Sequence, residues 1–209
     1  MNQREFMDAF DRLDKETCVT LAFDALSSGA LDVPTLYDGV LRKSMENLTD
    51  VESDPTHKIW KEHIKSSIVR TIIEMAFPFV VKAKVVTTKG RAAVVCPDGE
   101  EHELGARMIS DYLTLMGYET FFVGKSTPKK EFVDLIESLK LDVVALSVTN
   151  YYNFSVTLRT VELIREHFPN LTLIAGGRGF DHNPQALAGY HVALANNYAE
   201  LIAAIGDNV

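Results

Sequence analysis

The sequence predicts an α/β chain: a bundle of four helices followed by a domain with a five-stranded parallel sheet. Three observations carry that prediction. Residues 1 to about 80 place their apolar side chains at helical spacing only. From Lys89 onward, short apolar runs alternate with helix-length segments, the pattern of a parallel sheet covered on both faces. Chemistry-bearing residues then fall at the ends of three of those runs, where open α/β sheets bind ligands.

In the helical half, a short helix is expected around Phe6 and Phe10 and a second over residues 18–26, stopping at Ser27-Ser28-Gly29. Pro34 suits the first turn of a third helix through Leu36, Val40, Leu41 and Met45, because proline's missing N–H has no partner to lose there. A fourth begins near Asp54-Pro55-Thr56 and carries an apolar stripe through Ile59, Trp60, Ile64, Ile68, Ile72 and Met75 to its end at Phe77-Pro78. Residues 80–88, with several lysines and threonines, read as the linker, so the domains are expected at 1–83 and 89–209. Strands are then expected at 92–96, 118–123, 142–146, 171–174 and 191–194. The helices between and after them fall at 104–116, closed by Gly117, and at 128–139, 156–167, 184–187 and 198–205.

Composition narrows the function classes. A net charge of −8 argues against a broad phosphate-binding surface, so direct nucleic-acid binding is not expected. Cys18 and Cys96 lie far apart without metal-ligand spacing and read as reduced, buried thiols of a cytoplasmic protein. No run approaches a membrane span, and the N-terminus has no apolar core of signal-peptide type. Gly-x-Ser-x-Gly, His-Glu-x-x-His and the Gly-Lys-Ser/Thr phosphate loop do not occur. The first βα turn also lacks Gly-x-Gly-x-x-Gly, which argues against a nicotinamide enzyme.

The three strand-end motifs are Glu100-Glu101-His102-Glu103-Leu104-Gly105, Ser147-Val148-Thr149 and Ala175-Gly176-Gly177-Arg178-Gly179. Glu-x-His-x-x-Gly, then Ser-x-Thr, then Gly-Gly resembles the cobalamin-binding domain family shared by methionine synthase, corrinoid methyl carriers and light-responsive cobalamin-dependent regulators. The resemblance spans roughly residues 90 to 209 and, more weakly, the helices before them. It implies a flavodoxin or Rossmann-like domain with a helical cap over the upper face of the corrin.

It also implies a base-off, His-on cofactor, with His102 as the lower axial cobalt ligand, a role that suits neutral imidazole. Glu100 is the candidate partner for the other ring nitrogen, which would fix the tautomer. Methyl carriers usually have Asp there, whereas Glu resembles the regulators. Gly105 is expected to let the backbone approach the corrin, or else is an ordinary helix-start glycine. Ser147 matches the family serine that meets the buried nucleotide base; Thr149 replaces the usual Leu and is equally readable as a turn former. Gly176, Gly177 and Gly179 are expected to make room for the nucleotide loop and its phosphate.

In the fourth helix, Glu62-His63 resembles the Glu-His segment near the upper ligand of the regulators, which makes His63 a candidate upper ligand. Those regulators place a Trp ten residues before the Glu, which here falls on Glu52. Trp60 and His63 share a helix face and could both look at the cofactor, or Trp60 could be a core anchor. His57, His167, His182 and His191 have no ligand spacing and read as surface or structural.

The leading expectation is a cobalamin-binding sensor or regulator, responsive to light through its upper cobalt ligand, rather than a stand-alone enzyme. Its output would pass through a separate protein or a homo-oligomer. The alternative is a corrinoid methyl carrier that serves a methyltransferase partner. Carriers show Asp-x-His-Asp-x-Gly-Lys-Asn, whereas Glu103 follows the histidine and Ala106-Arg107 the glycine here. A flavodoxin-like module without a corrinoid is the third reading.

Overall fold

Short capped helices open the chain because polar side chains take up their first amides. Asn2 accepts from the Arg4 amide to start α1 (Gln3–Asp11), and Asp14 from the Thr17 amide to start α2 (Lys15–Ser27). Asp32 does the same for α3 (Val33–Leu36), with Pro34 in its first turn. The chain continues through a π-helical turn, Tyr37–Leu41, into α4 (Arg42–Glu46). The long α5 spans Ile59–Ala83. The computed structural model describes residues 2–46, 59–181 and 183–206. Glu52, Asp54, Pro55, Thr56, His57 and His182 lie outside these residues, and the expected start of the fourth helix lies there too.

Pro78 does not end α5, as the sequence suggested; the helix runs on to Ala83. A proline inside a helix removes one hydrogen bond. Tertiary packing offsets that loss: Phe79 meets Phe23 of α2 edge-on at 6.1 Å, and Val80 is fully buried. The core of this unit draws on Phe6, Phe10, Leu36, Tyr37, Ile68 and Ile72. The expected linker therefore begins too early, since residues 80–83 are helical, and the chain divides into two units at Met1–Ala83 and Lys84–Val209.

The second unit alternates β1 (Gly90–Pro97), α6 (Leu104–Leu115), β2 (Tyr118–Thr127), α7 (Phe132–Leu139), β3 (Val143–Ser147), α8 (Phe154–His167), β4 (Thr172–Gly176), β5 (Val192–Leu194) and α9 (Tyr198–Gly206). All strand pairs are parallel, in the order β2-β1-β3-β4-β5. β1 and β3 are apolar on both faces because helices cover both sides. Some edges differ from expectation. β2 runs to Thr127 rather than 123, and the segment expected as a helix at 184–187 is a 3₁₀ stretch, Pro184–Tyr190. His191 adopts a left-handed backbone (φ 52°), so β5 starts at Val192.

The order matters for function. Successive connections leave β1 towards β2 on one side and β3 towards β4 on the other, which opens a crevice at the carboxyl ends of β1 and β3.

Candidate functional site

The crevice is built from the loops that follow β1 and β3. After β1 the chain turns tightly: the Glu100 amide donates to the Pro97 carbonyl at 2.9 Å, with Gly99 at φ 80°, a conformation glycine adopts without strain. The turn is tied to the end of β2 by the Ser126 amide on Glu100 O at 3.0 Å and by Lys125 on Glu101 at 2.8 Å. It drives the Glu100 side chain inward until it is wholly buried.

A buried carboxylate requires hydrogen bonds, and Glu100 has them from two loops. Its Oε1 accepts from the His102 amide at 2.9 Å and pairs with His102 Nδ1 at 2.6 Å. Its Oε2 accepts from the Thr149 and Asn150 amides at 3.0 and 2.9 Å, and from Asn153 Nδ2 at 3.1 Å. Burial alone would raise this carboxyl. The bonds from His102, Asn150 and Asn153 prevail and hold it at about 2, so it is ionised. One carboxylate thus binds the β1 loop to the β3 loop at the mouth of the crevice.

The consequence for His102 is a set tautomer. An ionised carboxylate only accepts, so Nδ1 carries a proton, and in the neutral ring Nε2 holds the lone pair. The side chain is 48% exposed, so this basic nitrogen belongs to a ring that solvent and ligands reach. From beneath, the Cys96 thiol donates to the His102 carbonyl at 3.6 Å. Burial first, then the charges of Glu100, Glu103 and Glu101, push this thiol up to about 12, so it is a thiol, not a thiolate.

Ser147 stands beside Cys96, within hydrogen-bonding reach of its sulfur, at the end of β3. Thr149 contributes its amide to Glu100. Gly105 lies in the first turn of α6, where an added Cβ would meet nothing within 4 Å. The other glycines differ. A Cβ on Gly176 would come within 2.2 Å of the Ala195 carbonyl oxygen, and one on Gly177 within 2.3 Å of that of Val148. Their missing side chains let the loops after β3, β4 and β5 pack backbone to backbone.

Glu62, His63 and Trp60 lie in the other unit. Trp60 is 54% exposed on α5 and is not a core anchor; His63 is exposed and Glu62 half-buried. Two site residues were missed in the sequence. Asn153 braces Glu100, and Asn196 accepts from the Gly177 amide at 2.6 Å. Their contacts cross 53 and 19 residues, and neither belongs to a motif.

The donor set bears on which metal centre fits. Among the described residues no cluster of three or more His, Cys, Asp or Glu could hold a metal ion. One oriented imidazole at the mouth of a crevice, with open space at Gly105, suits a metal whose other ligands come with it, as in a macrocycle. Among the described residues, too, no helix is long and apolar enough to cross a membrane.

Comparison with known proteins agrees. The B12 binding domain family matches residues 90–203. The chain is 24% identical over 176 residues to the HTH-type transcriptional repressor CarA of Myxococcus xanthus, covering 83% of this chain and 57% of that protein. It is 26% identical over 143 residues to trimethylamine corrinoid protein 2 of Methanosarcina acetivorans, covering 67% and 64%. The chain therefore spans less than two thirds of either relative. Among solved structures, the monomethylamine corrinoid protein of Methanosarcina barkeri shares the fold with a TM-score of 0.81 at 16% identity, over 98% of this chain and 96% of that one. A cobalamin-binding protein from Desulfitobacterium hafniense DCB-2 gives 0.51 at 16% identity, over 100% and 99%. At such identity the likeness is one of fold.

Proposed function

The chain belongs to the B12 binding domain family and is a cobalamin-binding protein; we propose that it works as a cobalamin-dependent sensor or regulator that holds cobalt from below through His102, with the nucleotide base displaced. Glu100 carries this reading. Its buried carboxylate fixes the His102 tautomer and ties the ring to two loops, so the imidazole is aimed before a ligand arrives. Cobalamin, when bound, supplies a cobalt centre whose upper ligand is exchanged or removed by light.

The chain's own residues do the rest. Glu100 keeps the His102 Nδ1 proton and raises the basicity of Nε2. Ser147 and Thr149 would border the displaced nucleotide, and Gly105 would let the first turn of α6 approach the corrin. Gly176, Gly177 and Gly179 would support the nucleotide loop indirectly, by fixing the turn after β4. In the helical unit, Trp60, Glu62 and His63 are the proposed contacts for the upper face, with His63 as the ligand that replaces a departing organic group. A sensor with this arrangement acts on a separate output protein or through self-association.

Two observations favour the regulator. Glu100 takes the place of the carriers' Asp, and the likeness to the repressor extends over 176 residues of this chain, into the helical half. The carrier reading is kept because the chain is also 26% identical over 143 residues to a trimethylamine corrinoid protein. Absorption spectra of protein loaded with adenosyl- or methylcobalamin, in darkness and after illumination, separate the two when coupled to a measurement of oligomeric state. A regulator is expected to change ligation and assembly on illumination. Methyl transfer from a supplied methyltransferase, with cycling to cobalt(I) and no change of assembly, would overturn it.

A further inference from the structure

At the carboxyl edge of the sheet, β2 is longer than the strand it pairs with. Val94 pairs with Phe122, Val95 with Gly124 and Pro97 with Thr127, so β2 uses one residue more than β1 at each of these two steps. Extra residues of this kind bend a strand and re-aim what it carries, and they gather beside functional sites. The second falls within Lys125-Ser126, next to the turn that buries Glu100.

Ser126 adopts φ 54°, a left-handed conformation that is costly for a residue with a Cβ and is ordinarily left to glycine, asparagine or aspartate. Such a residue persists only where its surroundings hold it. Both polar groups of this serine bond the Glu100 turn: its amide donates to the Glu100 carbonyl at 3.0 Å, and its hydroxyl oxygen accepts from the Gly99 amide at 3.2 Å. The other two main-chain groups of the turn are held elsewhere. The Glu100 amide donates to the Pro97 carbonyl at 2.9 Å, and Asn153 Nδ2 donates to the Gly99 carbonyl at 3.1 Å. Half of the grip on Gly99 and Glu100 therefore comes from Ser126. The neighbouring Lys125–Glu101 ion pair is more than half exposed at both ends, and such a pair holds a loop weakly. Side-chain direction follows from backbone conformation, so the aim of the Glu100 carboxylate, 2.6 Å from His102 Nδ1, depends on this clamp.

We propose that Ser126 is a positioning residue for the His102 imidazole: by clamping the Gly99–Glu100 turn it keeps the carboxylate on Nδ1 and so fixes the direction in which Nε2 is offered to cobalt. The inference rests on the cobalamin reading above and extends the support of the ligand from the β1 and β3 loops to the edge strand β2. Ser126 acts through Glu100.

The test uses the full chain, uniformly labelled with nitrogen-15, as wild type, Ser126→Gly and Ser126→Asn. Glycine takes φ 54° without strain, so Ser126→Gly should fold and lose only the hydroxyl; asparagine also suits this backbone and carries a side-chain acceptor. In the cofactor-free protein, proton exchange at His102 Nδ1, followed by magnetic resonance, should quicken about 2- to 10-fold in Ser126→Gly, the equivalent of one neutral hydrogen bond, and return towards the wild-type rate in Ser126→Asn. Affinity for methylcobalamin, titrated by absorption, should fall by a similar factor, while the backbone amides of β3 stay as protected as in wild type. Unchanged Nδ1 exchange in Ser126→Gly overturns the proposal. So does an equal loss of protection in β3, which would make the serine a general support of the fold. If methylcobalamin leaves the wild-type His102 ring signals unmoved, the cobalamin reading falls and the proposal with it. If wild type responds and Ser126→Gly matches it in exchange and affinity, the reading stands and the serine does not.

Discussion

His102 and His63, the two imidazoles with a candidate role at cobalt, sit in opposite circumstances. His102 is gripped: its amide and Nδ1 are both on the Glu100 carboxylate, and its carbonyl is on Cys96. His63 stands on an open stretch of α5 beside Ile59 and Trp60, 67% and 54% exposed. The α/β unit therefore builds its candidate ligand into the fold, and the helical unit displays its candidate on the surface. Changes at the first should disturb stability and binding together, whereas changes at the second should touch only what happens at the cofactor.

Glu100→Gln is the strongest way to break that contrast. An amide presents N–H groups where only acceptors fit, so whichever way it turns it opposes either the His102 donors or those of Thr149, Asn150 and Asn153. A loss of about 1–3 kcal/mol in urea unfolding is expected, with about 10- to 100-fold weaker corrinoid binding. Acid should show the same group. Its carboxyl is held at about 2 against an ordinary 4.5, so its stabilisation is complete above the ordinary value and is lost as pH falls from there towards about 2. In the cofactor-free protein Glu100→Gln should flatten this acid limb. Wild-type stability without any fall across that window would mean the cage is looser than the distances say.

Glycines sharpen the contrast within the α/β unit. Gly177→Ala must fit a Cβ 2.3 Å from a carbonyl oxygen at φ 100°, and should destabilise the protein by more than about 1 kcal/mol. Gly105→Ala meets open space, and its fold should be as stable as wild type within about 0.5 kcal/mol. Its corrinoid affinity should nevertheless fall if the first turn of α6 approaches the ring. Thermal melts with and without cofactor check both, and a Gly105→Ala protein that binds normally would remove Gly105 from the site.

The sequence carried the order of elements and the strand-end position of the motifs, because period and punctuation are local signals. Where it misled, distant packing decided. Pro78 reads as a stop, yet Phe79 on Phe23 and buried Val80 carry α5 past it. Gly105, Gly176 and Gly177 look alike as letters. Only the structure shows that one borders open space and the others fill contacts with Val148 and Ala195. Glu100 was legible as a partner for His102 two residues away. Its grip on the Thr149 and Asn150 amides, 49 and 50 residues on, was not.

The smallest structural effect is expected at His63. His63→Ala removes an exposed side chain, and its unfolding free energy should match wild type within about 0.5 kcal/mol. Loading with cobalamin should persist, while the spectral component that arises when the upper ligand leaves should vanish. If illuminated wild type and His63→Ala have the same spectrum, His63 is a surface residue.

The most direct measurement concerns His102. Electron paramagnetic resonance of the cobalt(II) form reports the axial nitrogen through its superhyperfine splitting, a triplet for ordinary nitrogen and a doublet for nitrogen-15. Protein labelled with nitrogen-15 only in histidine and loaded with unlabelled cobalamin should show doublets, and His102→Ala should lose them. Triplets in the labelled wild-type protein would place the cofactor's own base on cobalt and contradict the role assigned to the Glu100–His102 pair.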